Sequence, residues 1–262
     1  PWLLLPEVDG EHGLTFSCVL SGWHRTHPFF LPHAARRARY FGSYDGAWLF
    51  LAIDGPQGDQ AVQAQDHVLV NLNNFQYLDL PNAIPLNWDL PPEAQDLERI
   101  AIVAATLSCP PTEQGCVVAG IIVLPQALLR GVAFWRMGDR VVSAVFAEAW
   151  PPEQVEDLIY FKGREGHENF LLLTDGENIY VCQHMFHGDD PPMVPVFSNL
   201  VRFKPRGSSG QRVLARYLVE SRGDILMVVR FRSDLQSSEF RVFQHKDGEF
   251  GENLWSLMSE LD

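Results

Sequence analysis

Short apolar runs broken by polar turn dipeptides make up most of this chain. Asp45-Gly46, Asp175-Gly176 and Asp247-Gly248 each interrupt strand-like runs, and Gly138-Asp139 and Gly223-Asp224 do the same. Such pairs tolerate the positive φ angles that tight hairpins need, so their recurrence predicts antiparallel hairpins in series. The predicted strands fall into five groups. The first is Thr15–Leu20 with Phe29–Leu31, linked by a polar turn through Trp23-His24-Arg25-Thr26-His27. The second holds Ala38–Ser43, Ala47–Ile53, His67–Asn71 and Phe75–Leu80, and the third Arg99–Leu107, Cys116–Val123, Gly131–Arg136 and Val141–Phe146. The fourth holds Asp157–Phe161, Asn169–Thr174, Asn178–Gln183 and Val194–Phe203. The last holds Val213–Glu220, Asp224–Arg232, Glu239–Gln244 and Asn253–Leu261.

Three or four strands per group, at intervals of roughly 40–70 residues, is what stacked four-stranded blades would produce. Ala47–Ile53 is apolar at every position, the pattern of a strand buried on both faces between neighbouring sheets. Asp224–Arg232 starts the same way and then alternates. Helix signals are weak: Pro91–Leu97 and Pro151–Glu156 could each form one turn with Pro at its start. Neither resembles a crossover helix, which excludes parallel α/β architectures. Asp54–Asp66, Pro81–Asp96 and Gln183–Val194 are long for hairpin loops and are candidates for functional or mobile segments. The expected fold is all-β: a propeller-like array of antiparallel three- to four-stranded blades in a single domain over residues 1–262. The ends at Pro1 and Asp262 read as those of a truncated product, incomplete at its C-terminus.

Composition supports packed sheets, with 17 Phe, 7 Trp and 6 Tyr suited to a pleated, half-buried surface. The formal net charge of −13 argues against a nucleic-acid binder, whose affinity rests on phosphate neutralisation. The one basic cluster, Arg36, Arg37 and Arg39, reads as a solvated loop or a partner to local carboxylates. Cysteine is sparse, with Cys18, Cys109, Cys116 and Cys182 in no Cys-x-x-Cys pair, and no Asn-x-Ser/Thr acceptor is present. No apolar run reaches the roughly 18 residues of a membrane span. A reduced intracellular compartment, cytoplasm or nucleus, fits this usage.

Chemistry-bearing clusters are few. Cys182, His184 and His187 offer borderline-soft ligands at short spacing, but structural zinc wants four ligands and no second pair lies nearby. His24, His27 and His33 do not match the spacing of two ligands on one helix turn. Asp45, Asp89, Asp157 and Asp175 could contribute to a hydrolytic carboxylate pair only if two converge, and Asp45 and Asp175 precede Gly, which favours a turn role. There is no nucleophile elbow, phosphate-cradling loop or dinucleotide fingerprint. Arg206-Gly207-Ser208-Ser209-Gly210 reads as a linker, and Arg222-Gly223-Asp224 as a hairpin turn between two apolar strands. No catalytic, cofactor or metal residue is therefore expected. Trp48, Trp135, Trp150 and Trp255 lie within apolar runs and read as core. Trp23 and Trp88 lie in loop-like stretches and, with Arg25, form the candidate protein-binding surface, since aromatic residues and Arg are enriched in interface hot spots.

The ordered strand runs also carry a family resemblance. Tyr40-Phe-Gly-Ser-Tyr-Asp-Gly-Ala-Trp-Leu-Phe-Leu-Ala52 resembles a blade start of the plant KIB-type β-propeller family, which often follows an F-box. Val70-Asn-Leu-Asn-Asn-Phe75, running on to Leu80-Pro81, is similar to the family's next strand pair, with Asn74 where members usually carry Pro. Asp157–Lys162, Glu177–Cys182, Tyr217–Arg230, Phe240–Phe243 and Trp255 resemble later segments in order. The resemblance implies a non-catalytic protein-recognition propeller without cofactors. With an F-box, which this chain lacks, it would select a protein for ubiquitination. The acidic charge implies a partner with a basic patch, neither nucleic acid nor membrane. The competing expectations are a carbohydrate-binding or glycoside-active propeller, which needs convergent carboxylates or exposed aromatics in a cleft, and a degenerate family member with open sheet edges.

Overall fold

Strand Trp48–Asp54 (β5) shows how the pattern becomes architecture. Phe50 faces one sheet and Leu51 the other way, and both are fully buried. Successive strand residues point to opposite faces, so a run without polar positions needs a partner on each side. In the computed structural model the described residues are 2–5, 14–18, 26–29, 38–45, 47–54, 65–85, 96–124, 129–140, 142, 144–146, 154–163, 168–183, 196–201, 212–232, 238–247 and 253–258. Every regular element among them is a strand. This is the all-β array of blades that the sequence pattern predicts.

The sheets are antiparallel meanders in chain order. Trp2–Leu5, Leu14–Cys18 and Thr26–Phe29 (β1–β3) form a three-stranded sheet. Arg39–Tyr44 (β4), β5, Gln65–Asn71 (β6) and Tyr77–Asp79 (β7) form the first four-stranded one. Ala83–Pro85 and Leu97–Arg99 (β8, β9) make a two-stranded ribbon. Ala101–Leu107, Val117–Leu124, Leu129–Arg136 and Ala144–Phe146 (β10–β13) form the next blade, and Val155–Lys162, Glu168–Thr174, Ile179–Gln183 and Val196–Val201 (β14–β17) the one after. Val213–Ser221, Asp224–Arg232, Ser238–Asp247 and Asn253–Leu257 (β18–β21) form the last.

Several expectations are corrected. Leu97 opens β9 and Val155-Glu156 opens β14, so the ends of both one-turn helix candidates are extended. Trp2–Leu5, which none of the predicted strands covers, is a strand paired with β2. β3 begins at Thr26, so His27 lies in a strand rather than in the preceding turn.

Three apolar layers glue the four-stranded sheets face to face. Phe50, Ala52 and Leu69 pack against Ile102, Val118, Ile122 and Trp135 in the first. Val117, Ala119 and Phe134 on the reverse of that second sheet meet Phe170, Leu172 and Tyr180, with the Phe134 and Phe170 rings edge to face at 5.5 Å. Leu171, Leu173 and Ile179 turn the other way, onto Met227, Val229, Phe243 and Trp255. Alternate residues of one strand thus serve successive layers, and a slip of one residue would exchange the two. Trp48, Trp135 and Trp255 are core residues as predicted. The opposite face of the last sheet leaves Tyr217, Val219 and Phe240 exposed, with the Arg230 guanidinium over the Phe240 ring.

The first strands of the four sheets, β4, β10, β14 and β18, lie side by side. Each carries a register slip near its start: between Tyr40 and Gly42, Ile102 and Ala104, Val155 and Asp157, and Val213 and Ala215. A bulge bends its strand and sharpens the local twist. The repetition curves all four inner strands at the same level.

Candidate functional site

Side chains beside these bulges tie neighbouring sheets together. Arg39 Nη2 donates to the Ile102 carbonyl. The Ile102 N–H donates to His67 Nε2 at 3.0 Å, so His67 acts as an acceptor there. Burial, followed by the nearby Arg39 charge, lowers the His67 pKa to about 4. The ring is therefore neutral at pH 7. Two sheets further on, Asp157 Oδ2 accepts the Leu218 N–H at 2.7 Å. Burial raises the Asp157 pKa to about 6, against the lowering effect of its backbone hydrogen bonds and of Arg130. Arg216 bridges Glu156 and Glu177, both at 3.1 Å, and Trp255 Nε1 donates to the Glu177 carbonyl at 3.0 Å.

Between the β4–β7 and β10–β13 sheets runs a cleft of about 810 Å³. Its apolar lining includes Ile53, Val68, Leu78 and Met137, and its polar lining Asp66, Asp79, Asn82, Asp139 and Arg140. The lining thus counts three aspartates against one arginine, and neutral His67 adds no positive charge. The elements explain the placement. Asp66 is the second residue of β6, and Asp79 ends β7 directly across the ladder from Val68. Asp139 closes a turn in which Gly138 takes φ +95° and the Asp139 carboxylate accepts the Arg136 N–H at 3.0 Å. Asn82 Nδ2 reaches Asp66 at 3.5 Å. An apolar trough rimmed by carboxylates suits a cationic side chain with an aliphatic stem, because Lys and Arg bury their methylenes while keeping the charged head near the rim.

The residues singled out from sequence fall elsewhere. Trp23, Arg25 and Trp88 lie outside the described residues, as do His24, His33, Asp89, Trp150, His184 and His187. Cys182 is fully buried and its thiol pKa is pushed up by that burial. Among the described residues no three His, Cys, Asp or Glu come together as metal ligands. Asp157 holds the Leu218 amide and Asp175 Oδ1 the Gln154 amide, while Asp45 sits in the hairpin turn at the far end of β4. Arg36 and Arg37 lie outside the described residues, while Arg39, read with them as a solvated loop or a partner to local carboxylates, is exposed at the start of β4, where it donates to a backbone carbonyl and lies over the Phe41 ring. Sequence reasoning missed Asp66, Asp79, Asp139 and Arg140 because each looks like an ordinary loop or strand-end residue. The available signal was Gly138-Asp139 as a turn and the long segment ending at Asp66.

Residues 15–262 match the family described as KIB1-4 beta-propeller. The chain belongs to that family. Its blades are the four-stranded meanders above, and KIB1-4 membership supports a protein-interaction module in general terms. No sequence among the curated proteins matches this KIB1-4 member. A solved structure, KlHsv2 with loop 6CD replaced by a Gly-Ser linker, is similar at 11% identity and a TM-score of 0.38, over 94% of this chain and 77% of that one.

Proposed function

We propose that this KIB1-4 propeller is a non-catalytic recognition module that receives a basic segment of a partner protein in the cleft between the β4–β7 and β10–β13 sheets. The observation that carries the reading is the concentration of Asp66, Asp79 and Asp139 on an apolar trough between two packed sheets. A rigid scaffold presenting a shaped rim needs no moving parts to select a ligand. The net charge of −13 steers a cationic partner toward the molecule, which raises the association rate more than the final affinity. In the finer form of this reading, the module serves a plant, intracellular ubiquitin-ligase receptor of the F-box type, and the captured protein is its target. The family match supports the recognition module in general terms, and the F-box form is the finer part of this proposal.

The test is a capture experiment from plant extract with the parent chain and with Asp66→Asn/Asp79→Asn. Asp139 is left intact because its carboxylate also supports the turn. The parent retains a specific protein at moderate salt, and the double variant retains it about tenfold less, equivalent to about 1.4 kcal/mol. Equal recovery by both would remove the cleft from the account.

A further inference from the structure

The hairpin joining β10 to β11 carries two cysteines that the reading above does not use. Leu107 faces Val118 in the ladder, and the Ser108 N–H donates to the Val117 carbonyl at 2.9 Å. The Val117 N–H returns to the Ser108 hydroxyl at 2.9 Å, where a backbone carbonyl would ordinarily accept. The ladder register ends at Leu107 and Val118, and one step beyond the Ser108–Val117 contact come Cys109 and Cys116. In a regular non-hydrogen-bonded antiparallel pair, facing Cα atoms lie about 4.5 Å apart. A disulfide spans Cα separations of about 4.4–6.8 Å. The Cys116 thiol donates to the Cys109 carbonyl at 3.1 Å and also meets the Cys109 side chain. Both thiols are free, with Cys109 half-buried and Cys116 buried.

We propose that Cys109 and Cys116 form a reversible cross-strand disulfide when the protein meets a small-molecule disulfide such as oxidised glutathione. The Cys109 thiolate, the one that solvent reaches, attacks one sulfur of glutathione disulfide and releases the first glutathione thiol. Cys116 then gives its proton to water and attacks the Cys109 sulfur, expelling the second glutathione. Two protein thiols are oxidised and one glutathione disulfide is reduced to two thiols. Burial holds the Cys116 pKa up at about 12, so the second step is the slow one and the adduct at Cys109 accumulates first. The closed loop contains Pro111, which lines the cleft, so oxidation stiffens one wall of that trough. The inference does not depend on what the cleft binds.

The experiment treats the full chain with glutathione disulfide, quenches by alkylation at intervals and reads intact mass and cysteine-containing peptides. The expected course is a single adduct on Cys109 that gives way to a product two hydrogens lighter, with a Cys109–Cys116 linked peptide and reversal by dithiothreitol. The oxidised form is expected to melt about 5 °C higher, from closure of a short loop. Cys182→Ser should behave as the parent, and Cys116→Ser should stop at the adduct. If Cys116→Ser does not fold, the parental peptide map decides alone. A persistent adduct beside a reduced Cys116, no reaction at Cys109, or a link through Cys18 or Cys182 would overturn the proposal.

Discussion

His67 is buried and Asp157 half-buried where sheets meet, and their pKa values are displaced in opposite senses. His67 titrates near 4 in the folded chain, below the usual 6.5. Between those values the unfolded chain binds the extra proton, so this contribution is complete above pH 6.5 and is lost as pH falls toward 4. Asp157 titrates near 6 when folded, above the usual 3.8. Between those values the folded chain holds the extra proton, so stability falls as pH rises from about 4 to 6. Each effect is on the order of 3 kcal/mol, and over pH 4–6 they oppose one another. Denaturant titrations at several pH values should therefore show a shallow dependence for the parent. His67→Gln keeps an acceptor for the Ile102 amide and should be progressively less stable with rising pH. Asp157→Asn keeps an acceptor for Leu218 and should gain on the parent between pH 4 and 6. Parallel profiles for all three proteins would show that neither residue couples to folding.

At the level of single elements, strands and turns were legible in the sequence to different depths. Ala47–Ile53 announces a strand buried on both faces because every position is apolar, and β5 is that strand. Arg222-Gly223 sits between paired Ser221 and Asp224 with φ of 55° and 83°, the two-residue hairpin its composition implies. At Asp175-Gly176, however, the positive φ falls on Glu177, a residue type that rarely adopts it. The reason lies 39 and 78 residues away: Arg216 holds its carboxylate, and Trp255 donates to its carbonyl. No local pattern encodes such a long-range clamp. The inner-strand bulges were illegible for the same reason, since each is set by its neighbour across the ladder or in the next sheet. Gly42 illustrates this, for a Cβ there would lie 2.8 Å from the Ala105 carbonyl oxygen of the adjoining blade. Gly42→Ala is expected to lower stability by about 1–3 kcal/mol, through overpacking against backbone that cannot rotate away. A variant with unchanged denaturation midpoint would mean that β4 and β10 are not held that close.

Across the whole molecule, shared apolar layers stack the sheets and a few polar clamps fix how they sit. The clamp at Arg216 is the most exacting, because removing the guanidinium leaves Glu156 and Glu177 without their shared cation. Arg216→Met should cost about 3–5 kcal/mol, and Arg216→Lys should recover only part because one ammonium cannot fork to two carboxylates. Thermal melts of the two variants check this order, and equal loss or none would contradict it. The fold class and family were readable because strand order and periodicity persist along the chain. The cleft was not, because Asp66 and Asp79 on one blade and Asp139 on another meet only when the sheets pack. That cleft is the centre of the functional account, and hydrogen exchange with and without the captured partner tests it most directly. The account predicts slowed exchange at residues 66–68, 78–80 and 137–140. Protection confined to the face carrying Tyr217, Val219 and Phe240, with the cleft unchanged, would contradict it.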